Sequence, residues 1–157
     1  MIRAKLVGRK RIKFVNKKIA EMLNDLADTF VSQTKINLDK KKDIHGNKFK
    51  PLKASTIKAK KKKGSATPRI PLVDSGKMKK VYRSKTASAS SLESHVTTAE
   101  QRKEVAEFHN EGGDNLPQRE WFGIGTKTER RFNKMIRAKI KSIVRFEKWR
   151  TMKTQAR

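Results

Sequence analysis

The chain has no cysteine. That excludes a disulfide framework and any thiolate metal site. Only 6% of its 157 residues are aromatic, with a single tyrosine, and no nucleic-acid reader module is recognisable, so base-specific recognition has little support. Acid is scarce as well: 15 Asp and Glu stand against 41 Lys and Arg, a formal charge of +26. Apolar runs are far too short for a membrane span. The opening MIRAKLVGRKRIKF has no continuous apolar segment, so it does not read as a secretory signal, and it lacks the serine of a mitochondrial presequence. The expectation is a protein made in a cytosol. With 34% hydrophobic and 36% charged residues, the chain reads as one domain, 1–157, with a small core and extended basic tracts. A lone compact body at +26 repels itself, which implies a polyanion or an acidic partner surface.

Apolar periodicity organises what is there. Residues 1–16 are basic and acid-free and read as an arm, or a short strand leading into a helix. Over 17–38, Ile19, Met22, Leu23, Leu26, Phe30 and Val31 form one stripe, with Ala27 filling it, and predict a core helix. Residues 39–70 read as a protruding lysine-rich loop, with Ser55 placed to cap a short helix and prolines breaking the chain beyond it. Residues 81–86 and 91–97 read as a hairpin around a small-residue turn. Residues 99–113 predict a short helix stopped by a double glycine, with Val105 and Phe108 towards the core. A last helix over 126–147 carries Phe132, Met135, Ile136, Ile140, Ile143 and Val144 on one stripe. Residues 148–157 read as a frayed basic tail. The fold class is α+β: two long helices plus a short helix packed on a small antiparallel sheet.

No catalytic pattern survives inspection. His45, His95 and His109 have no metal-ligand spacing with one another, and His109 reads as a packing or capping residue at a helix end. DSGKMKK is only a fragment of a phosphate-binding loop, and GIGT is too short for a dinucleotide fingerprint. The reading is a non-enzyme with no cofactor and no metal. Lys58, Lys60, Lys61, Lys62 and Lys63 are candidate contacts to a polyanion, of the sequence-independent kind.

One stretch stands apart: VAEFHNEGGDNLPQREWFGIG, 105–125. Glu100, Glu104, Glu107 and Glu111 recur at i, i+3, i+4 spacing and make an acidic ridge in a basic chain.

This stretch and two others together resemble the phage virion morphogenesis family, the tail completion proteins of tailed bacteriophages. DIHGNKFKPLKASTIKAKKK is similar to the family's D-x-x-G-x-x-W-x-P-L-x-x-x-T followed by a lysine. PLVDSGKMKKVYRS is similar to its L-x-D-T-G-x-L-x-x-S. The third stretch is similar to Y-A-x-x-H-x-x-G, then P-x-R-x-F-x-G, then a closing helix. The likeness covers roughly 17–146. Phe49, Ser75, Met78 and Val105 stand where the family often has Trp, Thr, Leu and Tyr. The motifs mark Gly46, Phe49, Pro51, Leu52, Asp74, Gly76, Met78, His109, Gly112, Pro117 and Gly123 as structural positions.

The resemblance implies a structural virion protein acting in tail completion and head–tail joining at the neck, assembled in the host cytoplasm. It implies no catalysis and suggests a ring of copies, with six as the guess. The partners expected are other copies of the chain and neck, connector or tail proteins. Non-specific contact with genomic DNA is a further expectation, and no membrane is. In such a ring the acidic ridge meets a basic face, at 58–63 or along 127–145. Trp121 and Phe122 are expected as buried anchors of the docking loop, or as cover for the chain's own core, Phe122 the more so. Arg119 would hold the loop by pairing with an acid, and Pro117 would stiffen it. The alternative function is a basic, sequence-independent nucleic-acid-binding protein.

Overall fold

The structure, a computed structural model, describes residues 2–73, 76–98, 103–113 and 116–155. In chain order it has α1 (Ile2–Asp39), α2 (Ala54–Lys62), a 3-10 turn (Lys77–Lys79), β1 (Val81–Lys85), β2 (His95–Thr98), α3 (Lys103–Glu111) and α4 (Thr126–Gln155). This is the α+β arrangement expected, with four α-helices and one two-stranded antiparallel sheet. No described helix is long and apolar enough to cross a membrane.

α1 is longer than its apolar stripe. The basic residues expected as an arm or strand are its first turns, because nothing in 2–16 breaks a helix: there is no proline, and Lys, Arg, Leu and Ala all favour one. α4 likewise runs on to Gln155 through the stretch expected to fray. The two helices pack on each other. Phe14 stacks on Phe146 with ring centroids 4.5 Å apart, and Lys139 of α4 reaches Glu21 of α1 at 3.3 Å. On α1 the positions sealed most completely are Ala20, Ala27, Thr34 and Leu38. The small Ala20, Ala27 and Thr34 let neighbours approach closely, while Ile19, Met22, Leu23, Leu26 and Phe30 are half-buried.

The hairpin packs against α1. Val81 pairs with Thr98, Tyr82 with Thr97 and Arg83 with Val96, and the register shifts before Lys85 pairs with His95. Asn24 on α1 fastens the hairpin loop twice. Its Nδ2 donates to the Ala87 carbonyl at 3.0 Å, and its Oδ1 accepts from the Ala87 N–H at 2.8 Å. Arg83 adds an ion pair to Asp28 at 3.0 Å.

A protruding loop is not shown at residues 39–70, which hold a tight turn and a short helix. The Lys42–Lys48 bridge closes a tight turn, in which the Asp43 carboxylate accepts from the N–H groups of His45 and Asn47 and Gly46 takes the left-handed conformation at φ 94°. α2 follows. Lys53 holds its N-cap position, so Ser55 lies inside the helix and caps nothing. The core gathers Leu38, Phe49, Leu72, Met78, Val81, Ala106 and Trp121, with Val31, Val96 and Phe122 packed around it. The expected core pair on α3 lies outside the core: Val105 is 36% and Phe108 62% exposed, and Ala106 is the buried residue.

Candidate assembly surface

The aromatic loop before α4 is fixed from within the chain. Trp121 has no exposed surface, and its Nε1 donates to the Ala106 carbonyl at 3.4 Å. Phe122 is half-buried. Its N–H donates to Asn110 Oδ1 at 3.1 Å, and its ring meets Phe30 edge-on at 5.1 Å. The order expected of this pair is therefore inverted. Trp121 is the deep core residue, so its ring has no face to offer a partner.

Arg119 is 3% exposed and pairs with no acid among the described residues. Its guanidinium donates to the carbonyls of Lys50 at 3.1 Å, Pro51 at 3.2 Å and Pro117 at 3.4 Å. One planar fork thus ties the Phe49–Pro51–Leu52 segment to the Pro117–Gly123 segment, a geometry that lysine cannot reproduce. Burial pushes the Arg119 pKa down from its ordinary value. His109 lies beside it. Burial first, then the Arg119 charge, lowers the His109 pKa. Its Nδ1 is buried with no hydrogen-bond partner among the described residues.

Two glycines are demanded by contact. A Cβ on Gly112, whose φ is +79°, would sit 2.9 Å from the Gln118 backbone. A Cβ on Gly125 would fall 1.9 Å from the Ile44 carbonyl oxygen. Gly123 faces Ile44 less tightly, at 3.3 Å. Gly76 takes a left-handed φ of 72° at the start of the 3-10 turn, and Met78 is buried behind it. Asp74 lies outside the described residues.

Charge divides between two surfaces. Glu104, Glu107 and Glu111 are exposed along α3, and Glu100 lies outside the described residues. Most other described acids are engaged. Glu21 contacts Lys18 and Lys139, Asp28 contacts Arg83, Asp39 contacts Lys79, Glu93 contacts Lys85, and Glu120 contacts His45. Hydrogen bonding to Lys18 holds the Glu21 carboxyl below its usual range, and Lys85 does the same for Glu93. No cation among the described residues pairs with Glu104, Glu107 or Glu111, in a chain with 41 Lys and Arg. Opposite in sign is α4, where Arg130, Lys134, Arg137 and Lys141 line a shallow open groove of about 520 Å³ with Asn133 and Ala138.

The lysine cluster at 58–63 splits. Lys58, Lys61, Lys62 and Lys63 are exposed. Lys60 turns inward, and its Nζ donates to the carbonyls of Val73 at 2.7 Å, Thr67 at 3.0 Å and Ile70 at 3.0 Å. It is a strut for the strap that follows α2, not a contact waiting for phosphate. Sequence reasoning missed Lys60, Asn24 and Gly125 in these roles. Nothing marks Lys60 among its neighbours, since a strut and a solvated lysine share one residue type. The close pair of glycines at 123 and 125 was the only available signal for Gly125.

Among the described residues no three His, Asp or Glu side chains cluster as a metal site would require. The arrangement supplies recognition chemistry: a rigid core, an acidic face and a basic face. A family model described as the phage virion morphogenesis family matches residues 7–141. No curated protein and no solved structure matches the chain.

Proposed function

The chain belongs to the phage virion morphogenesis family, and from that premise we propose that it completes the tail and joins it to the head at the virion neck. It acts as a structural ring protein without catalysis, with six copies matching the symmetry of a tail. The observation that carries the reading is the division of charge. Glu104, Glu107 and Glu111 have no cation partner among the described residues, while α4 presents a basic groove. A chain with two different, complementary faces is suited to head-to-tail contacts, which close into rings, and complementary charge sets register and choice of partner.

The test is electron microscopy of lysates from a phage lacking this gene. Full heads beside separate, unjoined tails are expected. Intact infectious particles would overturn the proposal. The cations of the α4 groove and the exposed Lys58, Lys61, Lys62 and Lys63 favour one second reading, a sequence-independent contact with nucleic acid. That reading predicts a monomer in solution that retards any DNA.

A further inference from the structure

Phe108 is 62% exposed at the middle of α3. Glu104 and Glu111 lie one turn to either side of it, four residues before and three after, and Glu107 adjoins them. A scattered surface phenylalanine needs no explanation. An aromatic knob set in carboxylates that meet no cation among the described residues does.

α4 carries the converse pattern. Ile140 is 51% and Val144 48% exposed. They are one turn apart, and Arg137, Lys141 and Lys148 run along the adjacent line of the helix. Met152 continues the apolar strip at 68% exposure. Val144, Lys148 and Met152 line a shallow groove of about 500 Å³ with Ile143, Glu147 and Thr151. A polyanion would use the cations and leave this strip idle. α2, a further lysine-rich element, has no buried residue and a run of lysines in place of an apolar strip.

We infer that α3 of one copy seats on α4 of the next, with Phe108 against Ile140 and Val144, and with Glu104, Glu107 and Glu111 facing Arg137, Lys141 and Lys148. The inference rests on the proposal that the chain assembles with itself, and it specifies the two faces that meet. The aromatic anchor supplies desolvated contact at the centre, and the charge rows fix the register. Because the two faces differ, a joined pair still has one face of each kind free, so the contact propagates, and it ends in a ring where the rotation between copies closes.

Sedimentation of the purified full chain tests it, with circular dichroism confirming that each variant is folded. Glu104→Lys with Glu107→Lys is one double variant, and Arg137→Glu with Lys141→Glu is the other. Each should sediment as a monomer, because like charges then face each other. Mixing the two should restore assembly, since each variant's altered face suits the other's. Phe108→Ser should weaken association by about tenfold or more, the loss expected for one buried anchor. If both doubles assemble as the unaltered chain does, this pairing of faces is wrong although self-assembly stands. If the unaltered chain is monomeric at every concentration, both readings fall. If Arg137→Glu with Lys141→Glu still assembles but no longer retards double-stranded DNA, the α4 cations serve a polyanion and the pairing is overturned.

Discussion

The two ends of the α1–α4 pair are built from similar residues and end in opposite states. At the α4 N-terminal end, Thr34 and Leu38 of α1 and Thr128 of α4 are buried, and Trp121 is sealed at 0% exposure. At the far end, Phe14 stacks on Phe146, and Phe146 lies tilted over Trp149 at 6.1 Å. Yet Trp149 remains 54% exposed and carries Lys153 over its ring at 4.6 Å. Two tryptophans of one chain thus occupy a core and a surface. The difference is a third layer. Two helices bury only the strip that faces each other, and the near end adds the 39–52 turn, the hairpin and the Arg119-tied loop. The hairpin tip reaches along α1 to Asn16, whose Nδ2 donates to the Ala89 carbonyl at 3.2 Å, and leaves Trp149 exposed beyond it.

The contrast is broken most strongly at its centre. Trp121→Ala should cost about 3–5 kcal/mol, because a large sealed side chain leaves a cavity. Trp149→Ala should cost under about 1 kcal/mol, since that ring is already half in water. Denaturant unfolding of the two variants measures the comparison directly, and equal losses would sink it. Next in size is Gly125→Ala. A methyl 1.9 Å from the Ile44 carbonyl forces the backbone to move, at about 1–3 kcal/mol, read as a fall in melting temperature. Arg119→Lys keeps the charge and loses the fork that binds three carbonyls. It should cost about 1–2 kcal/mol and open the 117–123 segment to proteolysis, and protection at the wild-type level would refute its role as a tie. At the far end Phe14→Ala should remove about 0.5–1.5 kcal/mol of ring stacking beyond the area lost, measured in the same unfolding series.

The smallest effect sharpens the comparison through pH. Burial lowers the His109 pKa below the ordinary 6.5 in the fold. A group with a depressed folded pKa keeps its full contribution above the unfolded value and loses it as pH falls, because the unfolded chain then binds the proton more readily. Melting temperature should therefore fall as pH drops through the ordinary 6.5 and below, and His109→Asn should flatten that limb. An unchanged slope in the variant would remove His109 as the cause. Glu21 and Glu93 have lowered pKa values below the ordinary 4.5, so their contributions are whole above about 4.5 and fade only at more acid pH.

Much of this fold was legible where a repeating pattern reports on one face. The stripe from Ile19 to Val31 and that from Phe132 to Val144 each marked a helix, and small residues at 86–91 marked the hairpin between two strands. Helix ends were less legible. Lys and Arg form helices as readily as they form solvated arms, so 2–16 and 148–155 carried no sign of their helical state. The acidic row on α3 was legible from spacing alone. Its companion was not, because periodicity placed Phe108 on an apolar face that Ala106 in fact occupies.

What the sequence determined by itself was therefore the set of elements, the membership in a family and the excess of positive charge. Each is written in local spacing or in composition. What only the tertiary structure decided was the fate of residues whose type allows two outcomes. Trp121 is core and Trp149 surface, Lys60 is a strut and Lys61 solvated, and Arg119 binds carbonyls in place of an acid. The physical reason is the same in each case. Burial and hydrogen-bond partners depend on segments distant in the chain, such as Lys50 meeting Arg119 and Ile44 meeting Gly125, and no local pattern records which distant segment arrives.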